Sequence, residues 1–108
     1  MAKDDRVYAG HMLDLARKAK QLLGSKPRKA FDEDETLLLA LTHLVQTFGE
    51  AARNVSPAFQ DQHPDIPWKE IVGMRHKVVH DYLDINPDIV WHVVTEELDP
   101  IIEKLARL

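Results

Sequence analysis

The sequence predicts an all-α protein, a single-domain up-and-down bundle of four to five helices with no strands. Apolar residues recur at three- and four-residue steps in four separate segments, which is the spacing of one helix face. No segment alternates apolar and polar residues with the period of two that strands show. Glycine is scarce, at 4 of 108 residues, and strong helix formers such as Leu and Ala are common. A chain of this length suits one domain over residues 1–108.

The first predicted helix runs from about Asp5 to Leu23. Asp4 or Asp5 can cap its start, and Gly24 can end it. Residues 24–29 contain Gly, Ser and Pro, which predicts a loop. The apolar face of this helix is formed by Val7, Met12, Leu15, Ala16, Ala19, Leu22 and Leu23.

The second predicted helix runs from about Asp32 to Val55 and has a wide apolar face. Asp32 and Glu35 have the spacing of a capping box, in which each end residue binds a backbone N–H of the other. Residues 56–66 follow, and their prolines predict a loop.

The third predicted helix has Pro67 in its first turn, where the missing N–H costs nothing, and ends near residues 81–83. We expect a turn over residues 84–87. Asn86 then caps a fourth helix that starts at Pro87 and reaches about Leu105. Pro100 lies inside this helix, and we expect a kink or break there.

Composition limits the possible functions. The chain has a net charge of −4 and no cysteine, so disulfides and thiolate metal sites are excluded. Most non-specific nucleic-acid binders are basic, because neutralising phosphates drives their affinity. A general RNA-coating role is therefore disfavoured, whereas a nuclease with a small basic cleft is not. No apolar run approaches the roughly 20 residues that span a bilayer, and the start has no apolar signal peptide. We expect a cytoplasmic protein with no membrane association.

The densest group of chemically useful side chains lies in residues 73–82. Arg75 offers a planar fork of donors to phosphate oxygens. His76 and His80 can move protons near neutral pH, and Lys77 and Tyr82 lie beside them. These residue types meet the needs of RNA transesterification: a base, an acid and a fixed cation that stabilises the charged phosphorane. This chemistry requires no metal or other cofactor.

The spacing of these residues on the predicted third helix suggests a dimer. His76 and His80 are four apart and share a helix face. Arg75 and His80 are five apart, which places them roughly 140° from one another around a helix. One helix does not easily aim both at one phosphate. Two copies related by a two-fold axis could do so, which suggests a homodimer with a composite active site.

The pattern Arg75, four residues, His80, one residue, Tyr82 resembles the signature of HepT-like toxins of the HEPN superfamily. The resemblance runs from Asp5 to about Leu105. The flanking segments that also resemble the family are 48–51, 64–68, 71–75, 82–85 and 89–91.

The resemblance implies a HEPN-fold helical bundle that dimerises, or assembles further, and cuts RNA such as tRNA or mRNA without a metal, leaving a cyclic phosphate. It implies Arg75 and His80 as catalytic residues. It also implies a toxin of a type VII-like toxin–antitoxin system, whose partner is an MNT-type nucleotidyltransferase antitoxin. That antitoxin would transfer AMP to Tyr82 and so obstruct the site with a bulky anion. Family members often carry Asn or Asp where this chain has His76, so the role of His76 stays open.

Several alternatives remain from the residues alone. Arg75 could pair with Glu70 or Asp81, and Lys77 could be an RNA-steering charge. Glu50 could form an ion pair on its helix or orient a histidine in the site. His76 and His80 also have the spacing of a helical metal pair, although no third ligand is evident. The whole chain could instead be a non-catalytic dimer that binds a nucleotide or other substrate and presents it to the nucleotidyltransferase.

Overall fold

The computed structural model describes residues 4–81 and 84–108, and for His80 and Asp81 it describes the backbone alone. The helices of this part are α1 (Asp5–Leu23), α2 (Arg28–Asp32), α3 (Glu35–Arg53), α4 (Pro57–Gln62), α5 (Trp68–Val78), α6 (Pro87–His92) and α7 (Leu98–Ala106). A π-helical turn, Val93–Glu97, joins α6 to α7. Two short strands, β1 (Val79–Asp81) and β2 (Asp84–Ile85), pair antiparallel.

The long helices share one continuous core. Helix α3 packs between α1 and α5, and α7 closes against α1. The largest fully buried side chains are Phe31, Phe48, Met12, Leu41, Ile66, Ile71, Met74 and Leu98. The all-α fold class is confirmed. Within the described part of the chain, no helix is both long and apolar enough to cross a membrane.

Three of the predicted helix caps are confirmed. Asp4 caps α1, and its side chain accepts the Arg6 N–H at 3.0 Å. Gly24 ends α1 with a φ of 58°, a conformation that favours glycine. Asn86 caps α6 by accepting the Ile89 N–H at 3.2 Å, and Pro87 is the first helical residue.

The predicted start of the second helix at Asp32 is wrong. Helix α3 begins at Glu35, and its cap is Asp34, which accepts the Leu37 N–H at 3.0 Å. Asp32 ends the separate one-turn helix α2, and it accepts from Arg28 rather than forming a capping box. Because Arg28 also donates to Asp88, α2 is held to α6. These two hydrogen-bonded carboxylates raise the pKa of Arg28, with Asp32 the larger cause.

The loop predicted over residues 56–66 contains the one-turn helix α4. Its cap is Ser56, whose Oγ accepts the Phe59 N–H at 3.2 Å. Pro57 is the first helical residue, as Pro87 is in α6. Ser56 also donates from its backbone N–H and its hydroxyl to Asp5, each at 2.7 Å. The start of α4 is therefore tied to the start of α1.

The predicted third helix ends three to five residues too late. Helix α5 begins at Trp68, with Pro67 at the cap position, and ends at Val78. The chain then becomes extended in β1, and the Asn86 N–H donates to the Val78 carbonyl at 2.8 Å. This carbonyl is thus satisfied by a returning segment instead of by another helical turn. The ribbon of β1 and β2 contains the only strands in the described residues, and the prediction of a strand-free bundle did not include it.

The expected irregularity near Pro100 is present as a π-helical turn. Pro100 lies in the first turn of α7, and the wider turn of residues 93–97 immediately precedes that helix. Proline has no N–H to donate to the preceding turn, so a change of hydrogen-bond pattern there is expected. From α1, the Lys20 ammonium donates to the Val94 carbonyl at 3.0 Å and lies 3.1 Å from Asp99.

Candidate active site

Arg75 in the last turn of α5 is paired with Glu50 of α3. Its Nη1 donates to Oε2 of Glu50 at 2.9 Å. The partner is thus on a neighbouring helix, not Glu70 on the same helix. The two side chains are 42% and 45% exposed, and such surface pairs contribute roughly 0–1 kcal/mol. The contact therefore orients the guanidinium, while a phosphate can still compete for it.

Gly49 explains why Glu50 reaches Arg75. A Cβ at Gly49 would lie 3.0 Å from the backbone oxygen of Ile71 and 3.8 Å from Cβ of Arg75. The backbones of α3 and α5 therefore approach more closely than a side chain at this position would comfortably allow. This close approach places the next residue of α3, Glu50, against the last turn of α5.

A groove of about 320 Å³ opens where α3 meets α5. We call it the basic groove, and its lining residues are Gly49, Glu50, Arg53, Lys69, Val72, Gly73, Arg75 and His76. It holds three permanent cations and a histidine against one carboxylate. Nη1 of Arg53 also lies 3.7 Å from Oε2 of Glu50. Positive charge is thus concentrated here in a chain whose net charge is −4.

A second groove of about 490 Å³ adjoins the basic groove at His76. We call it the side groove, and it is lined by His76, Lys77, Asp84, Ile85, Asn86, Pro87 and Ile89. His76 lines both grooves and is exposed. His76 therefore stands between a cationic depression and a larger, partly apolar one.

The structure brings some of the predicted site residues together. Arg75, His76 and Glu50 share the basic groove, whereas Lys77 faces the side groove. His80 lies in β1, two residues beyond the end of α5, and its side chain is outside the description. Tyr82 lies outside the described residues.

Helix α5 ends before His80, which corrects two inferences drawn from residue spacing. Because α5 ends at Val78, His76 and His80 do not form a helical pair four residues apart. The angle of roughly 140° between Arg75 and His80 does not apply either, since it assumes a helix through both. Within the described residues, no three His, Asp or Glu side chains cluster in a way that could hold a metal.

The sequence reasoning missed Arg53 and Lys69 as site residues. Arg53 follows Glu50 by three positions, so both lie on one face of α3. Lys69 precedes His76 by seven positions, which is two helical turns on α5. Helical spacing counted from Glu50 and His76 could have found both residues.

Comparison with known proteins identifies the family. A family profile described as "Ribonuclease HepT-like" matches residues 12–108, which is most of the chain. The chain therefore belongs to the HepT-like ribonuclease family. No solved structure matched it significantly.

The names of similar proteins agree with this assignment. The chain is 32% identical to a "Putative RNase" of Caldanaerobacter subterraneus subsp. tengcongensis over 97% of this chain and 93% of that protein. It is 31% identical to a "Probable ribonuclease HepT" of Thermococcus cleftensis over 69% of this chain and 68% of that protein. It is 25% identical to a "Gamma-glutamylcyclotransferase and putative RNase" of Methanocaldococcus jannaschii, of which it spans 49%.

Proposed function

We propose that the chain is a metal-independent endoribonuclease that acts as a dimer and binds the scissile phosphate of RNA in the basic groove. The observation that carries the proposal is Arg75, oriented by Glu50 in a groove that also holds Arg53 and Lys69. Guanidinium and ammonium groups are the usual ligands of phosphate. A local site of this kind suits RNA cleavage by an otherwise acidic protein.

The proposed reaction is an internal transesterification. A base removes the 2′-OH proton, the 2′-oxygen bonds to phosphorus, and the bond from phosphorus to the 5′-oxygen breaks as an acid protonates that oxygen. Arg75 stabilises the negative charge of the phosphorane. We assign the base and acid roles to His80 of the two subunits. The products are a 2′,3′-cyclic phosphate and a 5′-hydroxyl.

The dimer rests on the family resemblance and on one exposed face of α3. Leu39 is 50% exposed and precedes Glu50 by eleven residues, which is three helical turns. A subunit interface on the face that leads to the site would cover Leu39 and lie beside the basic groove. A second subunit in that position would close the groove and supply its own His80.

We further propose that this ribonuclease is the toxin of a type VII-like toxin–antitoxin pair. An MNT-type nucleotidyltransferase antitoxin would transfer AMP to Tyr82 and block cleavage. The physical basis is charge: an AMP group two residues after His80 adds a phosphate that competes with RNA for the same cations. Transfer of AMP from ATP by the partner enzyme, detected as a mass increase on Tyr82, tests this step.

The decisive experiment for the proposed function is an RNA cleavage assay. Purified chain with unmodified Tyr82 is incubated with total tRNA and excess EDTA, beside His80→Ala and Arg75→Ala. We expect cuts with 2′,3′-cyclic phosphate ends that both substitutions abolish while the dimer stays folded. Absence of cutting by the wild type would favour the alternative, a non-catalytic dimer that presents a substrate to the nucleotidyltransferase. The net charge of −4 is the observation that favours this alternative.

A further inference from the structure

The side groove adjoins the basic groove, and His76 lines both. We propose that the side groove binds the base of a nucleotide next to the scissile phosphate and prefers guanine over uracil. This inference rests on the proposed ribonuclease function and adds a base preference to it.

The lining of the side groove suits a nucleobase. Its volume of about 490 Å³ lies within the roughly 300–1,000 Å³ of small-molecule sites. Ile85, Pro87 and Ile89 supply apolar surface on which the flat face of a base can pack. Proteins that read single-stranded RNA stack the base face on a ring, which His76 can supply here, and bind the base edge through polar groups. Asp84 supplies a carboxylate at this groove.

The charge balance of the two grooves favours a base, rather than the phosphate backbone, in the side groove. Asp84 offsets Lys77 there, whereas the basic groove has three cations against one carboxylate and attracts the phosphate. Pro87 also lines a neighbouring depression of about 320 Å³, whose other lining includes the four acidic residues 32–35. The backbone of a bound RNA is therefore held at the basic groove and repelled beyond Pro87. A base turned away from the backbone carries no charge and can occupy the space between.

The chemistry of a carboxylate selects among the four bases. Ionised Asp84 only accepts hydrogen bonds. Guanine offers its N1–H and its 2-amino group side by side, which matches both carboxylate oxygens. Adenine and cytosine offer one amino group each. Uracil offers one N–H between two carbonyl oxygens, and these oxygens repel a carboxylate. A matched two-point contact discriminates between bases by about tenfold or more.

The test measures binding of oligonucleotides that cannot be cleaved. Fluorescence anisotropy is recorded with 2′-O-methyl oligouridylates that carry one central guanosine, adenosine or cytidine, or none. We expect the single guanosine to raise affinity about tenfold over the all-uridine strand, with adenosine and cytidine between them. Asp84→Ala should remove this difference. Asp14→Asn, which removes an exposed carboxylate of α1 outside both grooves, should preserve it.

Two outcomes overturn the base subsite: equal affinity of the wild type for all strands, or a guanosine preference that survives in Asp84→Ala. Absence of measurable binding to any strand also overturns it. Thermal melting of each variant checks that exposed Asp84 can be replaced without unfolding. Because the methylated strands cannot react, the result is independent of cleavage. A guanosine preference without tRNA cleavage would contradict the proposed nuclease activity but support the base subsite.

Discussion

The contact between Arg75 and Glu50 leaves most of the guanidinium available, which supports the proposed role of Arg75 as a phosphate ligand. Its contact with Glu50 is more than two-fifths exposed on both sides, so it adds little to stability. A guanidinium has five N–H donors, and only Nη1 is engaged by Glu50. The remaining donors can meet a phosphate while the carboxylate sets the plane of the group.

The planar fork of Arg75, and not merely its charge, should matter for cleavage. Arg75→Lys keeps the positive charge but loses the two-point contact with phosphate. We expect the single-turnover cleavage rate to fall on the order of 100-fold or more. Arg17→Lys, at an exposed position on α1 outside both grooves, should leave the rate unchanged. An Arg75→Lys protein as fast as the wild type would contradict the assigned role.

Glu50 should weaken RNA binding while it increases the cleavage rate by orienting Arg75. Glu50→Gln removes the negative charge from the basic groove, so RNA should bind more tightly and KM should fall. The same change loosens the orientation of Arg75, so kcat should fall by about 10- to 100-fold. Steady-state kinetics separates the two effects, with Glu103→Gln on the exposed face of α7 as the control. A rise in KM, or no change in either constant, would refute the positioning role.

At the scale of elements, the site depends on close packing of α3 against α5 and on the way α5 ends. The contact at Gly49 is made with a backbone oxygen, which cannot move aside as the tip of a flexible side chain can. At the other end of the bundle, Lys20 joins α1 to the π-helical turn through the Val94 carbonyl. Both contacts connect elements that lie far apart in the chain.

Gly49→Ala should destabilise the fold and impair cleavage together. The added methyl group would press on the Ile71 carbonyl, and overpacking of this kind costs about 1–3 kcal/mol. The helices would separate and draw Glu50 away from Arg75. Gly10→Ala is the matched control, because a Cβ there meets no atom within 4 Å. That control should stabilise α1 by up to about 1 kcal/mol. Urea unfolding measures both, and undiminished stability of Gly49→Ala would refute the close-approach argument.

Loss of the Lys20 ammonium should destabilise the junction between α6 and α7. Lys20→Met keeps most of the aliphatic chain but removes the donor to the Val94 carbonyl and the partner of Asp99. A hydrogen bond from a charged group of this kind should be worth about 1–2 kcal/mol. Lys18→Met, at an exposed position on the same helix, controls for the change of charge. Equal midpoints of chemical unfolding for the two variants would contradict this assignment.

At the scale of the whole molecule, charge and apolar surface are unevenly distributed. The basic groove concentrates cations in an acidic chain, and acidic residues 32–35 line a separate depression. RNA should therefore contact few phosphates, and its binding should depend on salt less steeply than that of a general RNA binder. Leu39, on the helix face that leads to Glu50, is the exposed apolar side chain that we place in the proposed dimer interface.

Leu39→Glu should weaken the proposed dimer without unfolding the subunit. Burying a new carboxylate in an interface is costly, while glutamate keeps a high helix propensity. Val7→Glu is the control, since Val7 on α1 is 49% exposed and Leu39 is 50% exposed. Sedimentation equilibrium should show dissociation of Leu39→Glu at concentrations where the wild type and Val7→Glu remain dimeric. Equal dissociation of the two variants would place the interface elsewhere.

The sequence determined most of the features whose partners lie within one helical turn. The capping box at Asp32 is the exception, because Asp32 pairs with Arg28 and Asp34 caps α3 instead. The caps at Asp4 and Asn86 each bind an amide two or three residues further along. The apolar periodicity predicted all four long helical regions and the all-α class. A capping residue followed by proline starts α6 at Asn86–Pro87 and also starts α4 at Ser56–Pro57. The sequence predicted a helix from the first pair and a loop at the second. Local hydrogen bonds and helix faces can be recognised from neighbouring residues alone, because neither needs a distant partner.

Only the tertiary structure decided where α5 ends and which groups surround Arg75. The Val78 carbonyl is satisfied by Asn86 returning from the next segment, so the helix stops before His80. The partner of Arg75 lies 25 residues away on α3, and Arg53 and Lys69 join it only because Gly49 lets the two helices approach. These contacts depend on how all the apolar faces are buried together. No single segment of the sequence contains that information.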